Sequence, residues 1–222
     1  MVYRRSPAAC ERARQSKDEV LRAARTVVAA HGMAGISMAA VAAEAGVAVG
    51  SLYRHFPSKT DLVTELVRST CDHELAVLGA VAAADHDAAG RHDAAGRHDA
   101  AGSDAGAERL AAAVSVFARR ALSSGRVAYA MICEPTVAEA ELLRRTIRAE
   151  MATILAGIVV DGVADGSFPA QDALLTGMAL VGAMSEVLTA AAGYVAEGDR
   201  DQLVGSIRAM ALRSVGAARV TA

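Results

Sequence analysis

Tryptophan is absent from the 222 residues, aromatic side chains number seven, and the four prolines and three cysteines are scattered singly. Each shortage excludes something. Three isolated cysteines, Cys10, Cys71 and Cys133, cannot form a disulfide framework and suit a reducing compartment. No charge-free run of about 18 apolar residues occurs, so a membrane-spanning helix and a membrane partner are not expected. The opening Met1–Cys10 stretch leads straight into charged residues without an apolar segment, so no secretory signal is read there and a cytoplasmic location is expected. What is abundant is alanine. It dominates a hydrophobic share of 53%, and as the strongest helix former and a weak strand former it points to an all-α chain.

Charge is also unevenly placed. Residues 1–60 hold nine Lys and Arg against four Asp and Glu, a surplus of five, so the remainder of a chain with net charge −2 carries −7. A basic head on an acidic body suits a partner that is a polyanion.

Helix punctuation divides the chain into nine segments. Ser16-Lys-Asp-Glu19 has the form of a capping box, opening a helix that places Val20, Ala24, Val27 and Val28 on one face and stops at His31-Gly32. Ser37 caps a second helix ending at Gly46, and a third runs from about Ala48 to Phe56 before Pro57. Ser58-Lys-Thr-Asp61 opens a longer fourth helix carrying Leu62, Val63, Leu66, Val67, Leu75 and Leu78. Further segments span Arg109–Leu122, Arg126–Glu134 and Thr136 to about Ala164. After the turn Asp165–Pro169, the last two run from about Gln171 to Ala192 and from Arg200, capped by Asp199, to Val215. The expected organisation is a disordered basic arm at 1–15, a three-helix head at 16–60 and a helical-bundle domain at 61–222.

Residues 85–102 repeat the hexad Xaa-His-Asp-Ala-Ala-Gly three times, Xaa being Asp85, Arg91 or Arg97. Its His86, His92 and His98 invite a metal reading. On a helix, however, a six-residue step turns successive histidines about 240° apart, so they face three sides. A flexible linker at about 84–107 is the better reading, because the segment has too little apolar surface to fold; no metal site and no cofactor are assigned.

The head carries the chemistry. Two short helices joined by Ala45-Gly46-Val47, with Val41, Val47 and Leu52 between them, have the form of a helix-turn-helix whose second helix enters the major groove. Its presented face is Ala48, Val49, Ser51, Arg54 and His55. Ser51, Arg54 and His55 are the polar readers, while Ala48 and Val49 offer apolar contact to a thymine methyl. Gly50 permits close backbone approach, Tyr53 offers a hydroxyl, and Ser37 and Lys59 lie at helix starts where phosphate is favoured.

The run Val41–Leu62, with its Ala-Gly-Val turn, Gly50, Leu52-Tyr53, His55-Phe56, Lys59 and Leu62, resembles the DNA-binding domain of the tetracycline-repressor-like (TetR) family. The likeness is carried by about residues 16–67. Ala48 stands where the family often has Ser or Thr, and Ser37 where Thr is more usual. The resemblance implies a homodimeric repressor that binds a palindromic operator in double-stranded DNA and leaves it when a small-molecule effector binds the body. It also implies an effector pocket, for which Phe117, Tyr129, Met131, Cys133, Glu134, Met151 and Met184 are the candidate lining.

Apolar stripes on the last two helices, Leu174, Met178, Val181, Met184, Val187 and Leu188, then Leu203, Ile207, Met210 and Ala211, suit either a self-contained core or a two-fold four-helix interface. The resemblance favours the interface. An enzyme is not expected: Cys133 as nucleophile has no histidine near it in sequence and no glycine turn before it. A redox- or metal-responsive regulator acting through Cys133 or the His86/His92/His98 repeat is the alternative.

Overall fold

Nine α-helices and two 3-10 turns make up the residues that the computed structural model describes, 7–84, 105–191 and 196–217, with no strand among them. The helices are α1 (Pro7–His31), α2 (Met38–Ala45), α3 (Val49–Leu52), α4 (Lys59–Ala83), α5 (Ala105–Ser124), α6 (Arg126–Ile132), α7 (Ala138–Ala164), α8 (Ala173–Ala191) and α9 (Arg200–Ser214). The 3-10 turns are Met33–Gly35 and Glu197–Asp199. The histidine repeat at 85–102 lies outside the described residues.

The chain divides into two compact units: Met1–Thr70 with Arg126–Leu143, and Cys71–Gly125 with Arg144–Ala222. The expected boundary at residue 60 therefore shifts. The first turns of α4 belong to the head because Leu62, Val63, Leu66 and Val67 are buried there. Residues 126–143 also group with the head, where α6 packs on α1 and Glu134 makes a hydrogen bond described below.

In the first unit, α1 buries Val20, Ala24, Val27 and Val28 as the periodicity predicts, and α2 adds Met38, Val41 and Ala42. The expected arm at 1–15 is corrected: the helix starts at Pro7, a residue tolerated in a first turn where its missing N–H is not needed. Arg14 donates to Glu11 at 2.7 and 3.1 Å and Gln15 donates at 3.1 Å, tying this early turn together and holding the Glu11 carboxyl below its usual range. Ser16 is consequently mid-helix and caps nothing.

In the second unit, α5 packs mainly on α9. Leu110, Val114 and Ala118 share a core with Leu155, Ile158 and Val159 of α7, Leu180, Val181, Met184 and Leu188 of α8, and Val204, Ile207, Ala211 and Leu212 of α9. Helices α5 and α7 come unusually close: a Cβ on Gly106 would lie 2.6 Å from the Gly162 Cα, and the Gly106 N–H donates to Ser167 Oγ at 3.1 Å. Arg109, buried beside this crossing, pairs with Asp161 at 3.1 Å. Arg120 grips Glu74 with two bonds of 2.7 and 2.8 Å. Burial pushes the Cys71 thiol up to about 11 against the opposing pull of the Arg144 guanidinium. Asp199 closes a 3-10 turn with helical dihedrals, so it makes no side-chain cap on α9. Asp172 caps α8, accepting from the Leu175 N–H at 3.0 Å.

Candidate nucleic-acid interface

Ser37 has extended dihedrals, and its Oγ accepts from the Ala40 N–H at 3.0 Å, which is the N-cap that the sequence predicts for α2. The helix ends at Gly46, whose φ of 66° is left-handed. There the Val47 N–H donates to Ala42 O at 3.0 Å and the Gly46 N–H to Ala43 O at 3.2 Å, the paired bonds of a Schellman ending. This turn redirects the chain into α3. Val41 and Leu52 are buried between the two helices, but Val47 remains 39% exposed: it belongs to the turn and is not part of the packing expected of it.

The regular part of α3 is shorter than the expected 48–56. Only Val49–Leu52 is α-helical, after which Arg54 N–H bonds to Ser51 O and His55 N–H to Leu52 O in tighter i to i+3 links. Pro57 is the cause, since the residue before a proline is pushed out of the helical region and the preceding turn tightens. Leu52 and Phe56, both buried, anchor the element from behind. Ala48, Val49, Gly50, Tyr53 and Arg54 are left on the surface and Ser51 half-buried. Val49 is 40% exposed and Tyr53 51%, an unusual outlay of apolar and aromatic surface for one turn.

Arg54 Nη2 donates to Ser51 Oγ at 3.0 Å, so the two polar readers form one preset group. Ala48 makes no side-chain cap, as its methyl must. A Cβ added to Gly50 would meet nothing within 4 Å, and its φ is not positive. Nothing inside the protein therefore requires glycine at this place.

His55 departs from the expected role. Its ring is half-buried, Nε2 lies 3.1 Å from Ser16 Oγ, and the ring centroid is 6.5 Å from that of Phe56. It braces the end of α3 against α1. Lys17 reinforces the same joint, pairing with Glu65 at 2.6 Å with its ammonium 5.8 Å from the Phe56 centroid. Sequence reading missed both Ser16 and Lys17, because their partners lie 39 and 48 residues away. At the start of α4, Ser58 Oγ accepts from the Asp61 N–H at 3.1 Å and donates to the Asp61 carboxylate at 2.6 Å, leaving Lys59 exposed at the helix start. A cavity of about 350 Å³ opens beside His55, but Asp61, Glu65 and Glu139 line it together with Lys17 and Arg68, so it presents both signs of charge and no focused attraction for phosphate.

The candidate effector residues fall in different units. Tyr129, Met131, Cys133 and Glu134 belong to the first and Phe117, Met151 and Met184 to the second. Met131, Met151 and Met184 are buried, and Phe117 and Tyr129 half-buried. Cys133 is an exposed free thiol whose Sγ donates to Tyr129 O at 3.1 Å. Glu134 is half-buried and has a partner within its own unit, its Oε2 accepting from the Met33 N–H at 2.5 Å. Among the described residues no group of three His, Cys, Asp or Glu is placed to hold a metal ion.

The candidate interface also separates. Val181, Met184, Leu188, Ile207 and Ala211 are consumed by the core of their own unit and have no surface to offer a partner. Leu203 and Met210 are half-buried. Leu174 and Met178 are 53% and 57% exposed, with Leu175, which the heptad-like stripe omitted, at 64%. Helix α8 is long and apolar enough to cross a membrane by length and composition, at a mean hydropathy of 1.6, and 28% of that window is buried.

Residues 20–66 match the bacterial regulatory proteins of the tetR family, and residues 103–190 match the tetracyclin repressor-like C-terminal domain. The two matches together span more than half of the chain. No curated protein matches it. Among solved structures, the transcriptional regulator FadR from Bacillus subtilis in complex with stearoyl-CoA superposes with a TM-score of 0.68 at 19% identity, covering 89% of this chain and 98% of that one. The fatty acid degradation regulator FadR from Bacillus halodurans gives 0.66 at 20% identity, covering 88% and 97%. RolR in complex with resorcinol gives 0.58 at 17%, covering 94% and 91%. At these identities the likeness is one of fold.

Proposed function

Because the chain belongs to the tetracycline-repressor-like family of DNA-binding transcriptional regulators, we propose that it works as a homodimeric repressor of a palindromic operator, released by a small-molecule effector and acting by binding alone. The observation that carries the reading is the face of α3: a turn whose exposed side holds Val49, Gly50, Tyr53 and Arg54 and whose other side is anchored by Leu52 and Phe56. Ala48, Val49, Ser51 and Arg54 are assigned to base edges, with the Arg54 guanidinium suited to guanine O6 and N7. Ser37, Gly50, Tyr53 and Lys59 are assigned to phosphates; the Ser37 oxygen accepts from its own helix, which leaves its proton to donate outward. His55 is reassigned from reading bases to holding α3.

The dimer reading is supported by Leu174, Leu175 and Met178, three large apolar side chains exposed on the first turns of an otherwise apolar helix. A second copy presenting the same face would cover them. For the effector, FadR carries stearoyl-CoA and RolR resorcinol in structures of similar fold, so ligands with a carbon-rich body are the class to screen first.

Selection of duplexes from a randomised library by the full chain tests the reading directly. A palindromic consensus is expected, with Tyr53→Phe and Lys59→Ala together weakening binding across all sequences and lowering the slope of log affinity against log salt by about 1. Enrichment of no sequence would end the proposal.

A further inference from the structure

Glu134, in the loop after α6, reaches the turn that leads into the helix-turn-helix. Glu134 Oε2 accepts the Met33 N–H at 2.5 Å, across 101 residues of sequence. Met33 opens the 3-10 turn that joins α1 to α2, and the first N–H groups of any helical turn lack partners within it. A carboxylate in that place makes a charge-assisted bond, stronger than a neutral one.

Gly32 makes room for it. Its φ is 70°, and a Cβ there would lie 2.6 and 2.8 Å from the two Glu134 oxygens. The glycine thus serves the backbone turn and the seat of the carboxylate at once. Immediately beyond, Ile36 is buried and Ser37 caps α2, so the Met33–Gly35 turn decides where the first helix of the motif begins.

We propose that Glu134 is a positioning residue for DNA binding: seated on the Met33 amide over Gly32, it sets the orientation of the helix-turn-helix from a segment outside that motif. The proposal rests on the DNA-binding reading above. Residues 126–143 are continuous in sequence with α5 and the rest of α7, which belong to the second unit.

The test uses the full chain and the duplex that the wild type selects from a randomised library. Glu134→Ala is expected to weaken binding about tenfold, the loss of one hydrogen bond to a charged group. It should also blur spacing: duplexes whose half-sites are moved apart by one or two base pairs should approach the affinity of the selected one, whereas the wild type rejects them. The Met33 amide should exchange with solvent faster in Glu134→Ala, and Glu134→Gln, which keeps an acceptor oxygen, should restore both spacing preference and protection. If Glu134→Ala does not fold, Glu134→Asp, whose shorter side chain falls short of Met33, takes its place with the same expectation. Wild-type spacing preference and Met33 protection in the Ala or Asp variant overturn the proposal and leave DNA binding standing. A wild type that selects no duplex removes the DNA-binding reading and this one with it.

Discussion

Ser16 Oγ lies 3.1 Å from Nε2 of His55, so a residue read from sequence as a helix cap and another read as a base contact are partners of each other. Ser16→Ala and His55→Ala are each expected to cost about 1 kcal/mol in urea unfolding, the usual worth of a hydrogen bond. Both should weaken binding to every duplex alike. Arg54→Ala should change which duplexes a randomised library yields. A shifted consensus in His55→Ala would return that residue to the reading face.

Gly50→Ala separates folding from binding. A helical glycine gives up about 0.5–1 kcal/mol relative to alanine, and here the added methyl meets open space, so the variant should be more stable in thermal unfolding. DNA affinity should nevertheless fall about tenfold, if backbone approach to phosphate is what the glycine serves. Unchanged affinity in a gel-shift titration would show that the space above Gly50 is empty in the complex too.

Alkaline pH should expose the burial of Cys71. Its thiol titrates at about 11 in the folded chain against an ordinary 9.0, so the unfolded chain releases the proton first. The stability held by keeping that proton is complete below pH 9 and is lost as pH rises to 11, by at most about 2–3 kcal/mol for a shift of about two units. Urea unfolding at pH 8 and pH 10.5 should show a steeper decline for the wild type than for Cys71→Ala. Equal declines would mean the thiol is not the group responsible.

Leu174→Glu with Met178→Glu should yield a monomer by sedimentation with little change in helical content, because both side chains are exposed in the single chain. The same pair of changes at Met184 and Ile207 should unfold the second unit, those side chains being fully buried. A dimer surviving the first pair would place the interface elsewhere.

Local signals were readable and distant ones were not. Ser37, Gly46 and Ser58 act on neighbours a few residues away, and the helix ends they predict fall within a residue or two of those observed, whereas the helix expected to run up to Pro57 ends at Leu52. The faces of α1 and α4 follow from a 3.6-residue period and are buried as expected, apart from the half-buried Leu75. Ser16-Lys-Asp-Glu19 misled because a capping pattern carries no information about whether the turn before it is already helical, and the Glu11 and Arg14 pairing makes it so. The stripe on α8 and α9 was correctly apolar, but periodicity cannot tell an internal core from an external face; Met184 and Leu174 look alike in sequence and differ completely in exposure. Glu134 was drawn toward a ligand because its partner, the Met33 N–H, belongs to a backbone amide, which every residue but proline carries and which therefore leaves no mark in the sequence.

The regular part of α3 is four residues long, far below the dozen or so that an isolated helix needs to persist in water. Its shape is lent to it by Leu52 and Phe56 behind, the Gly46 turn before and Pro57 after. A peptide copying residues 48–56 should therefore be shapeless and should not bind the operator, so the element cannot be transplanted by itself. The converse holds for inheritance. Ala48, Val49, Gly50 and Arg54 carry none of that framing, so a duplicated gene can acquire a new operator through these positions while its fold stays as it was.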